Sequence, residues 1–220
     1  MKNKDRVVIS AIVTKEEWFE NTLKAVIYTK KISGINDAQI VCFKEFSHPQ
    51  VKCVKLEHTI EQNLNGWNYF MSKCYNNYIN NEFLLNVHDD GFAINGDKWT
   101  DEFLNFDYIG ALWGPQHEIR CGNGGFSLRS KKLLDIQQHK CEFIPNSHNE
   151  DAMICNIQRS IYINNGIKYG TNEIASQFSI EEEFMPEYYG QTHSNRYSLK
   201  TFGFHHGYSD ALNFLKDVTI

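Results

Sequence analysis

Residues 6–13, RVVISAIV, are apolar everywhere except Arg6 and Ser10. A run this short with no polar face reads as a strand buried on both sides, which requires packing elements above and below it. Thr14-Lys15-Glu16-Glu17 has the form of a capping box, and Phe19, Leu23, Val26 and Ile27 follow at helical spacing. Ala38–Phe43 and Val51–Leu56 read as further strands. A long helix is expected from about Thr59 to Asn80, with Trp67, Met71, Cys74, Tyr75 and Tyr78 on a core-packing face. Phe83–Val87 is another compact apolar strand. A short helix near Lys98–Leu104 leads to a buried strand at Asp107–Gly110, and Ser130–Gln138 reads as helix. Ser147-His148-Asn149-Glu150 has the second capping-box form, opening a helix with Met153, Ile157 and Ile161 on one face. After Tyr169 the pattern weakens to loop and short strands, with a last helix at Ser209–Lys216.

Strands alternating with helices predict an α/β fold with a largely parallel sheet. A length of 220 residues, without internal repeat or linker-like composition, suits one domain. The formal net charge of -5, with no basic block, offers no nucleic-acid-binding surface. No apolar stretch approaches the roughly 18 residues needed to span a bilayer, and the N-terminus lacks a signal-peptide pattern, so the chain is read as cytoplasmic. Cys42, Cys53, Cys74, Cys121, Cys141 and Cys155 show no CxxC spacing and read as reduced thiols.

Four segments could carry chemistry. His88-Asp89-Asp90 follows an apolar strand, where open α/β sheets bind ligands. Its adjacent carboxylates suit a divalent cation bridging to phosphates, and equally suit an Asp-Asp-Gly turn. Gly122–Arg129 permits close backbone approach to a ligand, or is a hairpin or bulge. It lacks the spacing of a phosphate-binding P-loop. Asn149-Glu150-Asp151 places Glu150 as the capping-box acid and Asp151 in a first helical turn, where the helix dipole favours its ionised form. Asp151 is then either a general base or a simple helix-start acid. His205, after Phe202-Gly203-Phe204, is either a metal ligand or a packed core histidine.

In this order the segments resemble inverting glycosyltransferases of the GT-A fold, including fringe-like and galactosyltransferase-like enzymes. Asp107–Gly110, the run Gly122-Asn123-Gly124-Gly125-Phe126-Ser127-Leu128-Arg129-Ser130, Asn149–Asp151 and Phe202–His205 look more closely like a little-characterised bacterial and viral family of GT-A-like glycosyltransferases. The resemblance covers roughly residues 75–206. It implies a single Rossmann-like domain with a mixed, mostly parallel central sheet flanked by helices. Residues 1–110 would bind the nucleotide sugar and 111–220 would serve acceptor and catalysis.

The resemblance further implies a hexosyl- or deoxyhexosyltransferase that uses Mn2+ or Mg2+ and inverts configuration. Asp90 and His205 would ligate the cation, with His88 and Asp89 touching ribose or a metal-bound water. Asp151 would be the catalytic base. Gly124, Gly125 and Phe126 would form the floor under donor and acceptor, with Trp113 and Glu150 also at the substrate. Val13 and Thr14 would border the nucleotide base. The donor would be a nucleotide-diphosphate sugar, in the first instance a UDP-sugar, and the acceptor a glycan or lipid-linked glycan, as in polysaccharide biosynthesis. The region between about Tyr169 and Tyr197, with Glu181-Glu182-Glu183 and Tyr188-Tyr189, would shape the acceptor pocket, although its acidity reads first as a solvated face. Two positions depart from the family pattern: His88 stands where the common Asp-x-Asp motif has its first acid, and Leu112 stands where a proline is expected. A metal-dependent hydrolase or nucleotidyltransferase, and a non-catalytic glycan-binding relic of the fold, remain as alternative readings.

Overall fold

In the computed structural model, described here for residues 3–57, 59–114, 118, 120, 122–181, 200–205 and 208–220, the chain forms a six-stranded sheet with helices on both faces and a smaller three-stranded sheet at one end. The large sheet has the order β3 (Lys52–Lys55), β2 (Asp37–Cys42), β1 (Val7–Val13), β4 (Phe83–Asn86), β7 (Asn123–Ser130), β6 (Tyr108–Ala111). Strands β3, β2, β1 and β4 pair in parallel, while β7 runs antiparallel to both neighbours. The sheet is thus mixed and largely parallel, as expected.

Strand β1 explains the architecture. Val7, Ile9, Ala11 and Val13 enter one core with α1 (Glu16–Ser33), while Val8 and Ile12 enter a second with Phe70, Met71, Tyr75, Leu133 and Ile154. Side chains alternate across a strand, so a run apolar at consecutive positions is stable only when covered on both sides. The polar Ser10 is accommodated on the second face by accepting a hydrogen bond from the Gln39 amide at 3.2 Å.

Neither capping box forms. Helix α1 starts after Lys15, which makes no side-chain cap, and the Thr14 hydroxyl faces Gln62 instead. Helix α4 (Glu150–Ala152) follows Asn149, also without a cap, and the amide N–H of Glu150 donates to the side-chain carbonyl of Asn68 at 3.1 Å. Ser130 does cap α3 (Lys131–His139), accepting from the Leu133 amide at 3.0 Å.

The helix expected at 59–80 is shorter and irregular. Helix α2 (Leu64–Tyr69) passes into a π-helical turn at Phe70–Cys74 and a 3-10 turn at Tyr75–Tyr78. A second π turn, Met153–Ile157, lies between α4 and α5 (Arg159–Asn164) and breaks the face expected for Met153, Ile157 and Ile161. Ile157 is exposed, whereas Ile154, Cys155 and Tyr162 are buried. The weakly patterned tail holds α6 (Asn172–Phe178), capped by the Thr171 hydroxyl, then β8 (Ser179–Glu181), β9 (Gly203–His205) and α7 (Tyr208–Leu215). Together with β5 (Gly91–Ala93), β8 and β9 form the small sheet in the order β5-β9-β8. Cys42, Cys53, Cys74, Cys141 and Cys155 are free thiols, and Cys121 lies outside the described residues. Among the described residues no helix is long and apolar enough to cross a membrane.

Candidate active site

Strand β4 ends at Asn86, and two residues later the chain reverses. His88 and Gly91 form a β-bridge, exchanging backbone hydrogen bonds of 2.8 and 3.3 Å across Asp89 and Asp90. The turn reading and the ligand reading of this segment are therefore compatible: the turn is the device that presents the two carboxylates. Strand β5, which leaves the turn, pairs with β9 so that Gly91 lies opposite His205. Residues more than a hundred positions apart thereby converge. His88, Asp90 and His205 each offer one ligand atom, all within 4.8 Å of one another. The sequence reading made His88 a flanking residue, whereas it joins the cluster and Asp89 does not.

Glycines make this approach possible. A Cβ on Gly125 would lie 2.1 Å from the His205 ring, and one on Gly91 would lie 2.8 Å from it. Gly110 pairs with Ser127 while Ala111 pairs with Asn123, so Gly124, Gly125 and Phe126 form a bulge on β7. Bulges of this kind redirect a strand beside a site. The glycine-rich run forms a bulge, and the His205 imidazole packs against its backbone. Phe126 is completely buried, stacked on Phe178 with centroids 5.1 Å apart, so its ring supports the bulge from the core side.

Behind the bulge lies a fully buried polar network. Arg129 donates from Nη2 to the Gly124 carbonyl at 3.0 Å and to Glu150 Oε1 at 2.6 Å. Burial opposes the charge on Arg129, and the neighbouring carboxylate of Glu150 more than compensates, raising its pKa. Glu150 is therefore the counter-ion of Arg129 and not the acid of a Ser147 capping box, while its Oε2 accepts from the Asp151 amide at 2.8 Å. Asn86, also fully buried, donates to the Gly124 carbonyl at 2.9 Å and has its amide nitrogen 3.3 Å from His88 Nε2.

Asp151 is held on the other side of Gly124. Its carboxylate accepts from the Gly124 amide at 3.0 Å and the Ala152 amide at 2.7 Å. Burial, reinforced by Glu150, pushes its carboxyl up to about 6. The helix dipole, expected to favour ionisation, loses to desolvation. Burial likewise pushes Asp89 up to about 6, helped by Asp90, and pushes the His88 imidazole down to about 4, keeping it neutral. At His205 burial disfavours the charge, but Glu181 and Asp90 outweigh it and raise the pKa.

Asp89 and Asp90 line a cleft of about 480 Å³ together with His88, Ile12, Thr14, Lys15, Trp18, Gln62 and Trp67. Trp18, Trp67, Ile12, Ile60 and Leu64 give its walls apolar and aromatic surface, and Glu61 lines it as a third acid. Thr14 lines it. Val13 is completely buried in the core beneath, and Ile12 takes its place in the wall. The Trp113 ring packs partly against the second core, and its carbonyl accepts from Arg120 at 2.9 Å. Trp67, assigned from sequence to core packing, stands edge-on to His88 with centroids 5.7 Å apart and lines the cleft.

Two buried residues of the site were given no role from sequence, Asn86 and Arg129, and Glu181 was placed at the acceptor and not beside His205. Glu181 is buried and near His205, so at this residue the acidic run is no solvated face, while Glu182, Glu183, Tyr188, Tyr189 and His206 lie outside the described residues. Arg129 carried a signal. It alternates with Phe126 and Leu128 in a strand buried on both sides, and a buried arginine requires an acid.

Comparison with solved structures gives the fold its relatives. A glycosyltransferase involved in glycosylation of the major capsid of PBCV-1 aligns over 96% of this chain and 98% of its own, at 12% identity and TM-score 0.59. The galactosyltransferase LgtC, solved with donor and acceptor sugar analogues, aligns over 97% and 96%, at 10% identity and TM-score 0.54. These likenesses identify the fold as the GT-A type. No curated protein sequence matches significantly. Residues 50–205 match the family described as a protein of unknown function, DUF5672, and because that match covers well over half of the chain and includes every member of the His88, Asp90 and His205 cluster, the chain belongs to this family.

Proposed function

We propose that the chain is a glycosyltransferase that moves a sugar from a nucleoside-diphosphate sugar to an acceptor hydroxyl on a glycan. The observation that carries this reading is the convergence of His88, Asp90 and His205 at the end of an aromatic-walled cleft, on a fold shared with glycosyltransferases. A divalent cation there would neutralise charge on the departing diphosphate. The donor set of two imidazoles and one carboxylate suits Mn2+ better than Mg2+, which favours oxygen ligands. A UDP-sugar is the proposed donor, with its base between Thr14 and the tryptophan-lined wall.

Asp151 is the proposed base. With a carboxyl near 6 it is ionised at neutral pH yet basic enough to accept a proton from an acceptor hydroxyl. Its two backbone hydrogen bonds fix its orientation, and Arg129 neutralises Glu150 beside it. Attack from the face opposite the leaving group would invert the anomeric centre. The proposed cation site takes His88 and Asp90 from residues 1–110 and His205 from 111–220, so donor binding would draw on both halves.

The test is a thermal-shift screen of nucleotide sugars with and without Mn2+, since a ligand that binds the folded state raises its apparent stability. At least one donor should raise Tm only in the presence of Mn2+. No shift across the panel would contradict the reading. The anomeric configuration of the product separates inversion from retention.

A further inference from the structure

Glu181 ends β8, which pairs with β9 so that Glu181 and His205 are register partners. The carboxylate is 4% exposed, and its Oε1 lies 3.6 Å from His205 Nδ1. On the opposite edge of the same imidazole, Nε2 lies 3.8 Å from Asp90 Oδ1. The ring therefore stands between two carboxylates, one facing the cleft and one buried behind it. Asn123 fixes the buried one, donating to Glu181 Oε1 at 3.1 Å while accepting from the Gly125 amide at 2.6 Å. Glu181 Oε2 has no hydrogen-bond partner among the described residues. A carboxylate buried with so few partners is costly, and its folded position needs a compensating positive charge nearby.

A divalent cation held by two neutral imidazoles and one carboxylate leaves one positive charge in excess. A second carboxylate directly behind a ligating histidine balances that charge. At 3.6 Å its charge attracts a proton on Nδ1, which leaves the Nε2 lone pair turned toward Asp90. We propose that Glu181 is a positioning residue for the cation centre: it orients His205 and supplies the negative charge lost where His88 stands in place of an acid. This inference rests on reading His88, Asp90 and His205 as cation ligands.

The test is Mn2+ binding to the full chain, read from the magnetic resonance signal of free Mn2+, alongside thermal unfolding in chelator. Glu181→Gln keeps the shape and removes the charge. It should weaken Mn2+ binding about 10–100-fold while leaving the Tm in chelator close to that of the unaltered protein. Nitrogen NMR of the His205 ring should show Nδ1 protonated in the unaltered protein and a mixture of tautomers in Glu181→Ala. Should Glu181→Ala not fold, the Gln variant decides. If Glu181→Gln binds Mn2+ as tightly as the unaltered protein while Asp90→Ala does not, Glu181 has no part in the centre and the cation reading stands. If the unaltered protein binds no Mn2+, both fall together.

Discussion

The two ends of the large sheet solve opposite problems. Strands β1, β2 and β4 bury aliphatic side chains on both faces, and the few polar groups among them, such as Ser10 and Gln39, are uncharged and mutually bonded. Around β7, α4 and β8 the chain buries Arg129, Glu150, Asp151 and Glu181, which are all the buried side chains of full charge among the described residues. Buried charge is expensive, and replacing it by apolar groups is often neutral or stabilising. A fold that needed only a core would resemble its first half throughout. The difference sets apart the end of the molecule that carries buried charge.

The comparison can be broken most severely at Asp151. Asp151→Asn should lower transfer about 10²–10⁴-fold, the range for losing a general base, while nucleotide binding survives. Transfer at near the original rate, measured by nucleoside-diphosphate release, would remove Asp151 as the base. Next comes the Arg129–Glu150 pair. Glu150→Ala leaves a buried guanidinium without its counter-ion and should cost about 3–5 kcal/mol in denaturant unfolding. The double change Arg129→Met with Glu150→Leu should restore much of that stability without restoring activity. Recovery of both would make the pair a packing feature like those in the first half.

The pH profile sharpens the same contrast. A base must be ionised, and the Asp151 carboxyl lies near 6, so kcat/KM should fall about tenfold per pH unit below that value and level off above it. A profile flat down to pH 4 would contradict the assignment. The smallest effects concern caps. Ser130→Ala and Thr171→Ala should each cost about 1 kcal/mol. Thr14→Ala and Ser147→Ala, whose hydroxyls cap nothing, should stay within about 0.5 kcal/mol.

The first half of the molecule was legible because its signals are local. Apolar runs placed β1, β2, β3 and β4 to within a residue at each end, and helical spacing placed α1 without its end. Local patterns misled where the partner is distant. Ser147 to Glu150 has every letter of a capping box, yet Asn68 bonds the Glu150 amide and Arg129 claims its side chain. The face of Met153, Ile157 and Ile161 assumed regular α-helix, and a π turn rotated it. Helix α6 was missed although Thr171 with Ile174, Ala175 and Phe178 forms a cap and an apolar face, because the element is a short one. At the site, Asp90, Asp151 and His205 came from family resemblance. Glu181 was legible only as part of an acidic segment near the acceptor, since its approach to His205 exists only once β8 pairs with β9.

The central claim is that this charged end performs sugar transfer. Its most direct test is to incubate the protein and Mn2+ with a panel of nucleoside-diphosphate sugars, with and without a mixed pool of glycan acceptors, and to measure nucleoside-diphosphate release. Release from at least one donor should rise with acceptor and be lost in chelator and in His205→Ala. Release at the same rate with water alone would make the protein a hydrolase, and no release from any donor would make it a binding relic of the fold.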